Sequence, residues 1–329
     1  MFDRAQNTDN LSRLIPDDFV PVEYRGTDRC LDVVNWNIRY FNHRDKTRVD
    51  AIARVMSQIN ADIFVLEEIY EDSLAPVIEK LATAKAGYYE ACYGATGGSQ
   101  RVAILYDTDW VRPKDEVREL FGPGAVTVRV GGKKKDCFPR LPLWGYFQTL
   151  PAEAKGDAFD FQLVGLHLKS QRNGKEAIAD EDTRQRRESA EALAQWMQEE
   201  GSNLDSDIIL LGDWNKGPSS PEWKVFRDME KAKEVAFEKI NDDSDFSHLM
   251  YQNRNEVGSR LDLQVISHTA YDNRYGAKMG AKVIRWKTVQ ELFGDPKLKT
   301  EISRLRQLVS DHMPVFSRFY FKTRGRTSK

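Results

Sequence analysis

The chain has 329 residues, 40% hydrophobic and 30% charged with 7 Trp and 16 Phe, which excludes a disordered protein and suffices for a sizeable core. With 49 Lys and Arg against 51 Asp and Glu, the net charge of −2 creates no whole-molecule field that would mark a nucleic-acid binder. Cys30, Cys92 and Cys137 lack CxxC spacing and form no disulfide framework, and no apolar run approaches the ~20 residues of a membrane helix.

Residues 1–29 are polar and aperiodic, so they read as a mobile or loosely docked extension. Their ten charged residues leave no room for the apolar core of a signal peptide, and a cytoplasmic, reducing location without a membrane partner is expected. Leu31 to Trp36 reads as a buried strand, Val49, Ile52, Val55, Met56 and Ile59 recur at helical spacing, and Asp62 to Leu66 returns to strand. Further strands are expected at 101–106, 143–147 and 159–166, the last two joined by a turn at Lys155-Gly156-Asp157. An amphipathic helix follows from about Asp182 to Glu200, then a strand at 207–211. Ser220-Pro221-Glu222 offers a cap, a first-turn proline and an acid for a helix through Met229. Strands at 261–267 and 313–321 close the core, while 107–139 and 235–259 are expected to be long loops over the site. One domain over 30–321 with a frayed basic tail at 322–329 accounts for the pattern, which is that of an α/β protein.

Polar residues that follow apolar runs carry the chemistry. Glu68 comes directly after Ile63-Phe64-Val65-Leu66, a rigid mount for a carboxylate on Mg²⁺, and Glu67 alternates to the opposite face as a structural residue. Asp213 and Asn215, two apart after Ile208 to Leu211, pair an acid for water with an amide for a phosphate oxygen. Asp311 can join Glu68 on the metal, His312 points elsewhere to the phosphate, and Asp262 is suited to orient His312 by bonding one ring nitrogen. His167 at another strand end adds a second histidine, whereas His43, His248 and His268 lack such a context. Zinc is disfavoured because the histidines are not clustered in sequence. Three basic clusters, Lys133-Lys134-Lys135 with Arg140, Lys169 with Arg172 and Lys175, and Arg184 with Arg186 and Arg187, could line a phosphate-binding rim; solvated surface is the plainer reading of each.

Together with Trp36-Asn37 and Phe138-Pro139-Arg140, these segments resemble the endonuclease/exonuclease/phosphatase superfamily over Leu31 to Phe321. The resemblance implies a DNase I-like four-layer α/β/β/α sandwich with the site at one end of the paired sheets. It places Asn37 in a phosphate or metal shell, Glu68 on Mg²⁺, Asp213 on the water, Asn215 on the phosphate, Asp262 on His312, and Asp311 near the metal. Phe138-Pro139-Arg140-Leu141-Pro142 looks like the phosphate-gripping arginine segment of DNase I, and a guanidinium fork suits phosphate oxygens. AP endonucleases usually carry tyrosine where this chain has His167, and often Asp where it has Arg39; the secreted DNases place Glu near Gln100, which cannot supply charge to His167. Ser259-Arg260-Leu261-Asp262-Leu263 stands where inositol phosphatases show Trp-x-Asp-Arg, and no membrane-seeking apolar loop suits a sphingomyelinase.

The expectation is therefore a Mg²⁺-dependent phosphodiesterase, with Mn²⁺ able to substitute, acting as an endonuclease on nucleic acid, DNA first, without an obligate protein partner. Asp213 would activate water, His312 and His167 would stabilise phosphate oxygens or protonate the leaving group, and Arg140, Asn37 and Asn215 would clamp the phosphate. A small-molecule or lipid phosphodiesterase and a noncatalytic nucleic-acid-binding module remain the alternatives.

Overall fold

The computed structural model describes residues 13–130, 132–150, 158–171, 176–252, 255–276, 281–292 and 294–321. The expected turn at 155–157, Arg172, Lys175 and the tail at 322–329 lie outside the described residues. In chain order the strands are β1 (Cys30–Phe41), β2 (Ile63–Ile69), β3 (Tyr89–Tyr93), β4 (Arg101–Asp107), β5 (Val111–Pro113), β6 (Arg118–Glu119), β7 (Thr127–Val130), β8 (Lys133–Asp136) and β9 (Leu143–Thr149). They continue as β10 (Asp160–His167), β11 (Ile208–Asp213), β12 (Val235–Ala236), β13 (His248–Gln252), β14 (Asn255–Ser259), β15 (Asp262–Ser267), β16 (Lys282–Val283) and β17 (Val315–Tyr320).

Among the described residues, six strands form one sheet in the order β16-β17-β1-β2-β4-β3. A second sheet of seven runs β12-β15-β11-β10-β9-β5, with β6 also on β9. Period-two alternation explains how they stack. On β10 and β11, Leu163, Ile209 and Leu211 join the cluster shared with the first sheet. Their neighbours Val164, Leu166 and Leu210 pack instead with Ala190, Leu193 and Ala194 of the helix Glu176–Trp196. The helix Lys46–Ile59 covers the first sheet with Val49, Ile52, Val55, Met56 and Ile59, completing the four layers. The two sheets approach closely at Gly165, where a Cβ would stand 2.7 Å from Val65 and 2.9 Å from Val102 side chains. Between them, Gln264 of β15 donates to Asn35 of β1 at 3.0 Å.

Several expectations need correction. Residues 107–139 are not one long loop, because they hold β5, β6 and the β7–β8 hairpin; 235–259 likewise hold β12 and the β13–β14 hairpin. The part of the N-terminal extension that is described is firmly docked: Ile15, Phe19 and Val20 are fully buried, and Phe19 stacks on Trp286 at 4.8 Å. Ser220 makes no cap bond and bonds the side chain of Glu222 instead, so that segment opens with a 3-10 turn before the helix Lys224–Lys231. Helices at Ala75–Thr83, His268–Asn273, Lys287–Leu292 and Leu298–Leu308 were not anticipated. No helix among the described residues is long and apolar enough to cross a membrane.

Candidate active site

The sheet register assembles the site. His167 lies beside Asp213 in the parallel β10–β11 pair, and Asp213 lies opposite Asp262 in the antiparallel β11–β15 pair, so three polar residues form one row. Across the interior, Asn37 of β1 stands in register with Glu67 of β2. Gly212 adopts φ +146°, and a Cβ there would sit 2.0 Å from the carbonyl oxygen of Leu166, so only glycine lets β11 pass β10 at this point.

Glu68 reaches the site through a bulge. The ladders on both sides of β2 shift between Glu67 and Ile69, and Glu68 itself is left-handed at φ 62°. Simple alternation therefore fails here: Glu67 stays wholly buried between the sheets, while half-buried Glu68 is turned to the rim. Burial, reinforced by Asp262, Asp213 and Glu68, pushes the Glu67 carboxyl well above its ordinary range and favours its neutral form. Glu68 accepts from the Asn37 amide at 3.3 Å and the Tyr40 backbone N–H at 3.1 Å.

Asp213 is the hub. Its Oδ2 accepts from Asn37 Nδ2 at 3.1 Å and lies 3.6 Å from His167 Nε2 and 4.0 Å from His312 Nε2. Burial raises its pKa to about 7 against the pull of the His312 imidazolium. On His312, burial opposes the charge, but Asp262 Oδ2 at 2.8 Å from Nδ1, with Asp213 and Asp311, outweighs it and lifts the pKa to about 10. The expected Asp262–His312 pair is thus in place, with Nε2–H free to face the site. The Trp36 indole and the Ser310 hydroxyl, bonded to the His312 carbonyl and N–H at 2.9 and 3.0 Å, fix its backbone.

The other histidines behave differently from expectation. His167 is held neutral by burial and by Arg140, whose Nη2 lies 2.5 Å from His167 Nε2. A guanidinium can only donate, so this nitrogen accepts and the ring proton sits on Nδ1. His167 therefore orients Arg140 and presents no proton to a leaving group. His248, set aside in the sequence, stacks on His312 with ring centroids 4.5 Å apart, and possible ligand atoms of His248, Asp311 and His312 all lie within 4.8 Å. Burial and the neighbouring imidazolium lower its pKa to about 4. Only the β13–β14 hairpin brings it there, by the backbone bridge between His248 and His312, and no local sequence pattern announces such a bridge.

Asp311, expected on the metal with Glu68, makes its contacts with cations. Its carboxylate is taken up by Arg306 at 2.9 Å and Arg39 at 3.5 Å, with His248 at 4.0 Å. Burial is outweighed by these cations and His312, and its pKa is lowered. Asn215, left-handed at φ 59°, spends one amide proton on the Leu168 carbonyl at 3.1 Å and keeps the second. Of the basic clusters, Arg186 is buried against Glu222 at 2.9 Å and Lys169 lies 3.6 Å from Asp182, so neither is a free rim charge.

Glu68 offers a carboxylate oxygen of the hard kind Mg²⁺ prefers, while the Asn37 amide turns its nitrogen to Glu68 and Asp213 and gives its oxygen to the Arg39 N–H at 2.9 Å.

Comparison with known proteins agrees with this geometry. Residues 34–312 match the model of the Endonuclease/Exonuclease/phosphatase family. No curated protein sequence matches the chain. Among solved structures, a family protein from Bacteroides thetaiotaomicron is 19% identical with a TM-score of 0.56, covering 89% of this chain and 95% of its own. The mannosyl-6-phosphatase of the same organism is 20% identical with a TM-score of 0.55, over 88% and 100%. The human nocturnin catalytic domain, solved with a sulfate anion, is 14% identical with a TM-score of 0.52, over 92% and 99%. At these identities the likeness speaks for the DNase I-like fold.

Proposed function

Because the chain belongs to the endonuclease/exonuclease/phosphatase family, whose members hydrolyse phosphate esters, we propose that it is a divalent-metal-dependent phosphodiesterase acting as an endonuclease on nucleic acid. The observation that carries the reading is the convergence of Asn37, His167 and His312 on Asp213 Oδ2, with Arg140 behind His167. Glu68 would hold Mg²⁺, which when bound supplies neutralisation of phosphate charge, and Asn37 steadies the Glu68 and Asp213 carboxylates. Asp311 is committed to Arg306 and Arg39, so we assign it the task of steadying those guanidiniums rather than a share of the ion.

Asp213 orients a water molecule and takes its proton. The His312 imidazolium, held by Asp262, donates Nε2–H toward a phosphate oxygen, where a fixed charge costs no reorganisation during reaction. Arg140 and the free amide proton of Asn215 supply further donors, and the likeness of the Arg140 segment to the phosphate-gripping segment of DNase I supports a nucleic-acid backbone as substrate. The test is a panel of supercoiled, linear, single-stranded and abasic DNA, RNA, small phosphodiesters and sugar phosphates with Mg²⁺, Mn²⁺, Ca²⁺ or chelator. Chelator-sensitive cleavage of DNA is expected; turnover of small esters alone would overturn the endonuclease reading.

The pH profile is a second expected outcome. Activity needs Asp213 ionised and His312 protonated, so kcat/KM should rise through about 7 and fall near 10. A cation near Asp213 favours the carboxylate and draws the rising limb lower. A profile without the falling limb would remove the His312 imidazolium from the reaction.

A further inference from the structure

We propose that the β7–β8 hairpin is a backbone clamp for a polynucleotide, with Arg129, Lys133 and Lys134 gripping phosphates that flank the one being cut. This rests on the nuclease reading of the site. All three side chains are exposed, and the antiparallel register sets Arg129 directly opposite Lys134. Like charges facing each other across a strand pair destabilise a hairpin, so the arrangement works against the local fold and calls for an anion from outside. Among the described residues only Lys135 of the hairpin's cations has an acidic partner, Glu181 of the helix Glu176–Trp196, at 2.5 Å.

The hairpin is nonetheless held in place. Cys137 N–H donates to the Val126 carbonyl at 2.9 Å and closes its base. Gln185 donates to the Asp136 carbonyl at 2.7 Å and Ser189 to the Cys137 carbonyl at 3.1 Å, tying it to the same helix. Phe138, stacked on Phe121 at 5.3 Å, then leads to Arg140 at His167. From Lys134 to Arg140 the chain can span at most ~20 Å at ~3.4 Å per residue. A duplex strand advances ~3.4 Å per nucleotide, so the hairpin lies within reach of phosphates no more than about six nucleotides from the cut. Since the molecule as a whole is slightly acidic, this attraction acts locally, within a Debye length of about 10 Å at 0.1 M salt.

The experiment measures binding of labelled DNA of about twenty nucleotides by fluorescence anisotropy in chelator over a salt series, for wild type, a triple Arg129→Gln/Lys133→Gln/Lys134→Gln variant, and Lys134→Glu. The triple variant should bind at least about tenfold more weakly at moderate salt, with a log–log salt slope shallower by about two to three. Its rate on a small phosphodiester should be unchanged. Lys134→Glu turns a repulsive cross-strand pair into an attractive one, so its Tm should match or exceed wild type while its DNA affinity falls; a purely structural hairpin would gain stability and lose nothing. Variants that bind DNA like wild type, or a wild type that binds anionic vesicles and not DNA, would overturn the clamp. A wild type that binds through the hairpin but never cuts would sink the nuclease reading and leave the clamp standing.

Discussion

Asp213→Asn is expected to lower kcat by a factor of ~10²–10⁴, the usual worth of a positioned general base, with little change in KM. The substitution keeps the shape of the side chain and an oxygen for the Asn37 amide, and removes only the capacity to take a proton. Stability should move the other way. The folded-state pKa of Asp213, raised from 3.8 to about 7 by burial, means that the fold opposes its charge, a penalty that grows as pH rises between those values. A neutral amide relieves it, so thermal unfolding at pH 7 should show a Tm equal to or above wild type. Lost activity with undiminished stability is the signature of a group kept for chemistry at the expense of the fold. Retained kcat would remove Asp213 from the reaction.

His312→Gln should fail on both counts. Removing one preorganised donor from a charge-stabilising site costs ~10²–10³ in kcat. The variant also leaves Asp262 without its cation although that residue is fully buried, and breaking a buried pair from one side costs ~3–5 kcal/mol. The sign follows from the direction of the shift. The pKa of His312 is raised from 6.5 to about 10, so its charge contributes stability that is complete below 6.5 and lost as pH rises through about 10. The stability gap between wild type and variant should thus be wide at neutral pH and narrow in alkali, as denaturant titrations at several pH values would register. A second change, Asp262→Asn in the same chain, should recover much of the stability and none of the rate. Equal instability at every pH would mean that packing, not the ion pair, holds the ring.

The strand ends were legible because buried strands read as short apolar runs. Leu31 to Trp36, Ile63 to Leu66 and Ile208 to Leu211 each led to a residue that the structure brings to the site: Asn37, Glu68 and Asp213. The link between Asp262 and His312 was also readable, since a lone acid and a lone histidine at strand ends satisfy one another. What escaped depends on contacts remote in the chain. Glu68 arrives through a bulge that pairing with both β1 and β4 enforces, and His248 arrives on a hairpin hidden in a polar stretch. The contacts of Asp311 with Arg39 and Arg306 escaped too, because those residues come from the end of β1 and from the unforeseen helix Leu298–Leu308. In that helix Leu298, Ile302 and Leu305 recur at helical spacing, so its buried stripe is visible in the sequence. Phe19 resembles any aromatic in a charged leader; only Trp286, more than two hundred residues away, gives it a seat.

His167, Asp213 and Asp262 occupy neighbouring places on three paired strands, so the spacing of the acid and its two flanking groups is dictated by main-chain pairing rather than by side-chain flexibility. A slip of one residue in either pairing would divide the trio between the two faces of the sheet, and burial of the apolar alternates forbids it. Reactive geometry and substrate choice are thereby separable in this molecule. Changes in the hairpins and connecting segments around the mouth can redirect which phosphate ester is presented, while the interatomic distances that govern bond cleavage stay where the backbone has put them.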